Sequence, residues 1–190
     1  MIFSLEQAPP EGEVAQLQAL QRAGLAVAPT LVLVGVEAEF YQLGNLAEQI
    51  QRAFEGVFGA RLDEEKLARA CAFAERLLRE SYLLPERAEE IRKALPEARL
   101  LVRYANEAPF GLEVGSQATL WALKRLWASR WQLDAVLDRQ PRLAPPETPT
   151  LVQRVEAELV LDQAISEQAS ALLGRGVRVW TSAGQTVRVN

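Results

Sequence analysis

Histidine is missing altogether from the 190 residues, and cysteine and methionine occur once each. Without histidine there is no Ser-His-Asp or Cys-His catalysis, no phosphohistidine chemistry and no imidazole-containing metal site. A single cysteine, Cys71, excludes an internal disulfide and any cysteine-cluster zinc or iron–sulfur centre. Lysine is scarce: of 21 basic residues only Lys66, Lys93 and Lys124 are lysine, the rest being arginine. Basic charge is not in excess either. Twenty-five acidic residues against 21 basic ones give a net charge of −4, so no nucleic-acid partner is expected. Long apolar runs are also lacking. The longest, over 26–36, is interrupted by Pro29 and Thr30 and falls short of the ~18 apolar residues of a membrane span, so no membrane partner is expected. The opening Met1-Ile2-Phe3-Ser4-Leu5-Glu6 has no basic stretch and no apolar core of a secretory signal, which makes the cytoplasm the expected compartment.

What is present is a globular composition, 49% apolar and 24% charged, with enough chain for a real core. Val14, Leu17 and Leu20 share one face of a helix over 13–22, stopped by Gly24. The run Leu31-Val32-Leu33-Val34 reads as a buried strand. Leu46, Ile50, Ala53, Phe54 and Val57 have helical spacing. Asp63 is a good N-cap for a helix whose stripe is Leu67, Ala70, Cys71, Ala74, Leu77 and Leu78. A short helix over 86–95 is bracketed by Pro85 and Pro96, and a strand is predicted over 100–104. After a glycine-bearing turn at 110–116, one helix is predicted over 118–129 and another to about 139. Four prolines mark 140–149 as a linker or exposed loop. A strand over 151–155 follows, then a helix capped by Asp162 with Ile165, Ala169, Leu172 and Leu173 inward. The alternating valines at 177–189, around Ser182-Ala183-Gly184-Gln185, predict a β-hairpin. The class is α+β.

Several constellations have both a functional and a plainer reading. Trp121, Trp127 and Trp131 could stack a base or an adenine, although aromatics at helical spacing more often fill a core. Asp63-Glu64-Glu65 and Glu86, Glu89 and Glu90 sit in first helical turns, where carboxylates face the helix dipole, so they are not taken as sites. Glu156 and Glu158 have strand spacing and read as solvated positions. Cys71 belongs to an apolar stripe and reads as an inert hydrophobe. Pro146-Glu147-Thr148-Pro149 fits a loose PxxP form or a rigid linker. Gly111 and Gly115 frame either a phosphate-contacting loop or a plain turn.

Five segments resemble, in order, those of one family. Arg22-Ala23-Gly24-Leu25-Ala26-Val27-Ala28-Pro29 resembles "RAGLPVPPGF", and Leu101-Val102-Arg103 the start of "VRSSA". Gly115-Ser116-Gln117-Ala118-Thr119-Leu120 resembles "GQxxTFL". Leu126-Trp127-Ala128-Ser129, continuing to Asp138-Arg139, resembles "CWASLxxxRAxxYR", and Leu151-Val152-Gln153-Arg154-Val155 resembles "VVQxMV". These belong to the N-terminal nucleotide-binding domain of phosphoenolpyruvate synthase and pyruvate, phosphate dikinase. The resemblance spans roughly residues 12–155, at the level of motif order.

It implies an ATP-grasp-like architecture: a helical N-terminal part, mostly antiparallel strands and a C-terminal β-hairpin. The lobes implied are 1–140 for the first, 141–150 as a linker and 151–190 as a remnant of the second packing on the first. In that family ATP binds between lobes and its phosphate passes to a histidine on a separate swivelling domain. These 190 residues contain no histidine, and the family's other two domains are not expected within them. Glu13 stands where the family's "GKGANL" has its phosphate-holding lysine, and Thr30 where "PPGF" has glycine. Tyr104 and Ala105 replace the serines after the strand arginine, while Arg103 remains able to grip a phosphate. In the tail, Val177-Arg178-Val179-Trp180 falls on "DIEW", with valines in place of carboxylates; a rival alignment puts Val179-Trp180-Thr181 on "GVLFT". Under both, the metal ligands are missing. The expectation is a stand-alone, eroded relative: a non-catalytic binding or regulatory module, with no catalytic residue, no metal and no cofactor, and another protein as partner. The alternative is a weak nucleotide binder or small ATP-dependent phosphotransferase taking Mg-ATP. Its nucleotide-binding residues, by resemblance, would be Arg103, Gly115, Ser116 and Gln153, with Glu13 or Glu156 as replacement acids.

Overall fold

A strand buried on one face alternates apolar and polar residues, whereas one buried on both faces is apolar throughout. The runs at 31–33, 100–102 and 151–152 are of the second kind. The computed structural model, which describes residues 1–59 and 61–190, puts all three in the inner strands of one five-stranded sheet. In chain order the elements are β1 (Ile2–Ser4), α1 (Gly12–Arg22), β2 (Thr30–Leu33), α2 (Val36–Gln42), α3 (Leu46–Ala53), α4 (Glu64–Glu80) and α5 (Pro85–Ala94). Then come β3 (Arg99–Tyr104), β4 (Gly111–Val114), α6 (Ser116–Ser129), α7 (Leu133–Asp138), β5 (Thr150–Arg154) and β6 (Val160–Leu161), and last α8 (Gln163–Leu173), β7 (Val179–Ser182) and β8 (Gln185–Val189). The large sheet runs β1-β2-β5-β3-β4 and a small one β6-β7-β8, with every ladder antiparallel. The fold is α+β, as composition and patterning led us to expect, and it ends in the expected hairpin.

Each face of the large sheet has its own core. Leu33, Leu100, Val102, Tyr104 and Val152 point to one side, into a cluster built by α2 to α7. Val32 and Leu151 point to the other side, where α1, α8 and the small sheet supply Val14, Leu17, Leu20, Ala169, Val179 and Val189. Local chemistry sets the ends of the elements. The Leu25 N–H donates to Leu20 O and the Gly24 N–H to Gln21 O, both at 3.0 Å, a Schellman closure that needs the positive φ (+88°) of Gly24. The Asp63 and Asp162 carboxylates accept from the N–H groups of Lys66 (2.9 Å) and Ile165 (3.0 Å), capping α4 and α8. Ala183 and Gly184 both take positive φ in the β7–β8 turn, as a two-residue hairpin requires.

The structure departs from the sequence reading in identifiable places. Residues 111–114, read as part of a turn, form the edge strand β4: its short apolar alternation is stabilised by pairing with β3, a tertiary effect. The short elements β1 and α2 went unforeseen. The helix read as extending to Val57 ends at Ala53, although Phe54 and Val57 stay buried in the turn that follows. Leu172, read as inward, is 51% exposed. Most consequential is β5. It follows the prolines of the expected linker, yet it sits between β2 and β3 at the centre of the large sheet. The segment from 151 onward therefore begins inside the first sheet, and only β6 to β8 and α8 stand apart from it.

Candidate functional site

Alternation along β3 sends Arg103 to the same face as Leu101, and in the β3–β5 register Leu101 lies opposite Gln153. Arg103 and Gln153 thus meet beneath α1 and β8. Both are fully buried, and so is Glu13, from the first turn of α1. A guanidinium has five N–H donors, and here each has an acceptor. Nε donates to Gln153 Oε1 (2.9 Å); Nη1 to Glu13 Oε2 (2.6 Å) and Tyr104 O (3.1 Å); Nη2 to Glu13 Oε1 (2.9 Å) and Val187 O (2.8 Å). Glu13 is as completely used. Its Oε1 also accepts from the Val189 N–H (2.8 Å) and its Oε2 from the Asn106 N–H (2.6 Å). The Gln153 amide closes the network by donating to Thr30 Oγ1 (3.2 Å) and Val187 O (2.7 Å).

This bears directly on the Mg-ATP that the family resemblance implies. The group does not fit at Arg103. A phosphate would have to displace a bidentate carboxylate at a position closed to solvent, stranding that carboxylate and two backbone donors. Glu13 holds the arginine in the way an anionic ligand would.

Of the four residues singled out in the sequence, Arg103 and Gln153 come together, and Gly115 and Ser116 do not join them. Val114 pairs with Arg99, so Gly115 and Ser116 lie beyond the opposite end of β3, at least ~13 Å away at ~3.3 Å per residue. Their neighbour there is Glu97. The Ser116 hydroxyl donates to its Oε1 (3.5 Å), a charge of the wrong sign for a phosphate. Glu156 is exposed and pairs with Arg154. Trp127 and Trp131 are core residues: the Trp127 indole N–H donates to Thr150 Oγ1 (3.2 Å) and that of Trp131 to Tyr41 Oη (2.7 Å). Trp121 alone of the three is exposed, its ring 4.2 Å from Lys124 Nζ. That ammonium, its pKa lowered by burial, donates to Arg79 O (2.8 Å) and Ser81 O (2.9 Å) at the end of α4. Cys71 is buried and its thiol is pushed up chiefly by that burial, in keeping with an inert side chain.

A second feature lies on the opposite face of the sheet. A cavity of about 520 Å³ is bounded by α2, α3 and Trp131 on one side and by residues 143–149 on the other. The PxxP segment is therefore a wall. Inside it stand Glu37 and Tyr41, one helical turn apart on α2. The Tyr104 hydroxyl donates to Glu37 Oε2 (2.8 Å), while Glu37 Oε1 is buried with no hydrogen-bond partner among the described residues. Burial pushes the Glu37 carboxyl up to about 7, against the opposing pull of Arg130 and of the Tyr104 and Tyr41 hydroxyls. The phenols of Tyr41 and Tyr104 are raised by burial first and by the Glu37 charge second. The Arg130 guanidinium carbon lies over the Tyr104 ring, 3.6 Å from its centroid, and the side chain donates to Pro146 O, fastening the proline segment to the end of α6. Arg139 sits 4.7 Å from the Trp131 ring and donates to Leu143 O (2.8 Å).

Sequence reasoning missed this site because it missed α2. The available signal was Val36 with Phe40, and Glu37 with Tyr41, each four apart directly after Gly35. Seven residues are too few for periodicity to stand out.

No protein-family model and no curated protein matches the chain.

Proposed function

We propose that this protein is a non-catalytic binding module, an ATP-grasp-like relative of the nucleotide-binding domain of phosphoenolpyruvate synthase and pyruvate, phosphate dikinase that has given up nucleotide chemistry. One observation carries the reading: all five donors of Arg103, the remaining phosphate-gripping candidate, are engaged inside the protein, two of them by Glu13. The residue that replaces the family's lysine thus serves as the arginine's internal counter-ion. Selection for phosphoryl transfer would keep that arginine exposed, whereas selection for the scaffold alone tolerates its enclosure. The binding partner under this reading is another protein or a small molecule, met in the cytoplasm, and catalysis is no part of the role.

Thermal-shift titration with ATP, ADP and AMP, each with and without Mg²⁺, tests the proposal. The expected result is no saturable change in Tm. A stabilisation that saturates at micromolar ATP and vanishes in Arg103→Ala would overturn it in favour of the nucleotide-binding alternative.

A further inference from the structure

We propose that the cavity between α2–α3 and the proline-rich segment 143–149 is a binding site for a small organic cation with an apolar body. Its volume, about 520 Å³, is within the range of small-molecule sites. The walls are largely hydrocarbon and aromatic, with Ile50, Leu143, the prolines and Trp131 contributing. The charged side chains on those walls are all carboxylates: Glu37 inside, and Glu11 and Glu147, which are also exposed to solvent. No lysine or arginine lines the cavity among the described residues. Two guanidiniums lie outside this lining, and one of them, Arg130, acts on Glu37 through its charge. Arg130 is stacked on Tyr104 and Arg139 on Trp131, and both donate to backbone carbonyls of the proline segment. The site therefore presents apolar surface and negative charge together, which suits an ammonium or amidinium on a hydrophobic frame and disfavours a carboxylate or phosphate.

The state of Glu37 fits this occupant. Its unpartnered oxygen and its upward pKa mark a carboxylate short of compensation, which a bound cation would supply. The groups facing it are Tyr104 from the sheet, Arg130 from the end of α6, Tyr41 from its own helix, and Glu107, which follows β3. Cation binding favours the ionised form, so affinity rises by about tenfold between pH 6 and pH 8.

The inference deepens the binding-module reading and rests on it. The cation titration can fail while the ATP titration stays flat, and the reverse, so the two failures are distinguishable. The probe is 2-phenylethylammonium, titrated into the full chain and followed by calorimetry and by the indole N–H resonance of Trp131. 3-Phenylpropionate serves as the anionic counterpart. The expected result is saturable binding of the ammonium, none of the propionate, and at least about a tenfold loss of affinity in Glu37→Gln, which keeps an acceptor for the Tyr104 hydroxyl. Ala47→Trp, on the α3 wall of the cavity, occupies the space and abolishes binding. No saturation by the ammonium up to about 10 mM, equal binding of the propionate, or unchanged affinity in either variant overturns the assignment.

Discussion

A fully buried arginine gains little over a well-packed apolar side chain unless every donor and its counter-ion are satisfied, and removing one partner is far costlier than never having the pair. Arg103 and Glu13 meet that condition, which makes either of them a sensitive position on this face of the sheet. Glu13→Gln leaves a buried cation without its counter-charge and is expected to lower stability by about 3–5 kcal/mol, read from urea unfolding. Replacing both residues with methionine does not restore stability. The N–H groups of Asn106 and Val189 lose the carboxylate that accepts from them, at about 1–3 kcal/mol each. A double variant as stable as the parent would show that the network contributes nothing beyond packing. Glu37 behaves in the opposite sense. Burial pushes its carboxyl from the ordinary 4.5 up to about 7, so the folded state holds the proton more tightly. That contribution, about 3 kcal/mol, is fully present below pH 4.5 and lost as pH rises through about 7. Urea midpoints measured from pH 4.5 to 8 should therefore fall through this window in the parent protein and stay flatter in Glu37→Gln. Identical slopes would mean that Tyr104 and Arg130 already compensate the carboxylate.

The elements that were legible in the sequence are those whose boundaries are made by their own residues. Asp63 before α4, Pro85 at the start of α5, Asp162 before α8 and Gly24 after α1 each act within a few residues, so local reading places them within about two residues. Asp63→Ala and Asp162→Ala should each cost about 1 kcal/mol, and the loss of helicity should be confined to the helix concerned, as seen in amide exchange of its first turn. The elements that were not legible owe their existence to neighbours. β4 is a four-residue strand held by its ladder to β3 and by α6 packed against it. β1 is three residues, paired among the described residues with β2 alone. α2 is seven residues whose cohesion comes from Val36 and Phe40 in the core and from the ion pair of Glu39 with Arg87 on α5 (2.9 Å). Short segments such as these are too brief for hydrophobic periodicity and too weak in propensity to announce themselves.

The two sheets share one set of polar joints. Val187 O and the Val189 N–H, on β8, are tied to Arg103, Gln153 and Glu13, and the backbone of 26–28 bonds to Thr186 at Ala28 N (2.8 Å) and Ala26 O (2.8 Å). The small sheet cannot leave without orphaning these groups and uncovering Val32 and Leu151. One cooperative transition is therefore expected, with far-UV circular dichroism and tryptophan fluorescence superimposing in denaturant. Two resolved transitions would show that the C-terminal sheet is an independent unit. Sequence alone determined the α+β class, the longer helices with their caps, the inner strands and the C-terminal hairpin, because each is written in contiguous periodicity and turn chemistry. It also brought Arg103, Gln153 and Glu13 to notice. Tertiary structure decided what those three do. Glu13 is 90 residues from Arg103 in the chain, and only the packing of α1 across β3 and β5 turns a charge reversal into a closed ion pair. The same is true of the cavity: Glu37 is far in sequence from Trp131 and the proline segment, and no local pattern encodes the space that long-range packing leaves between them.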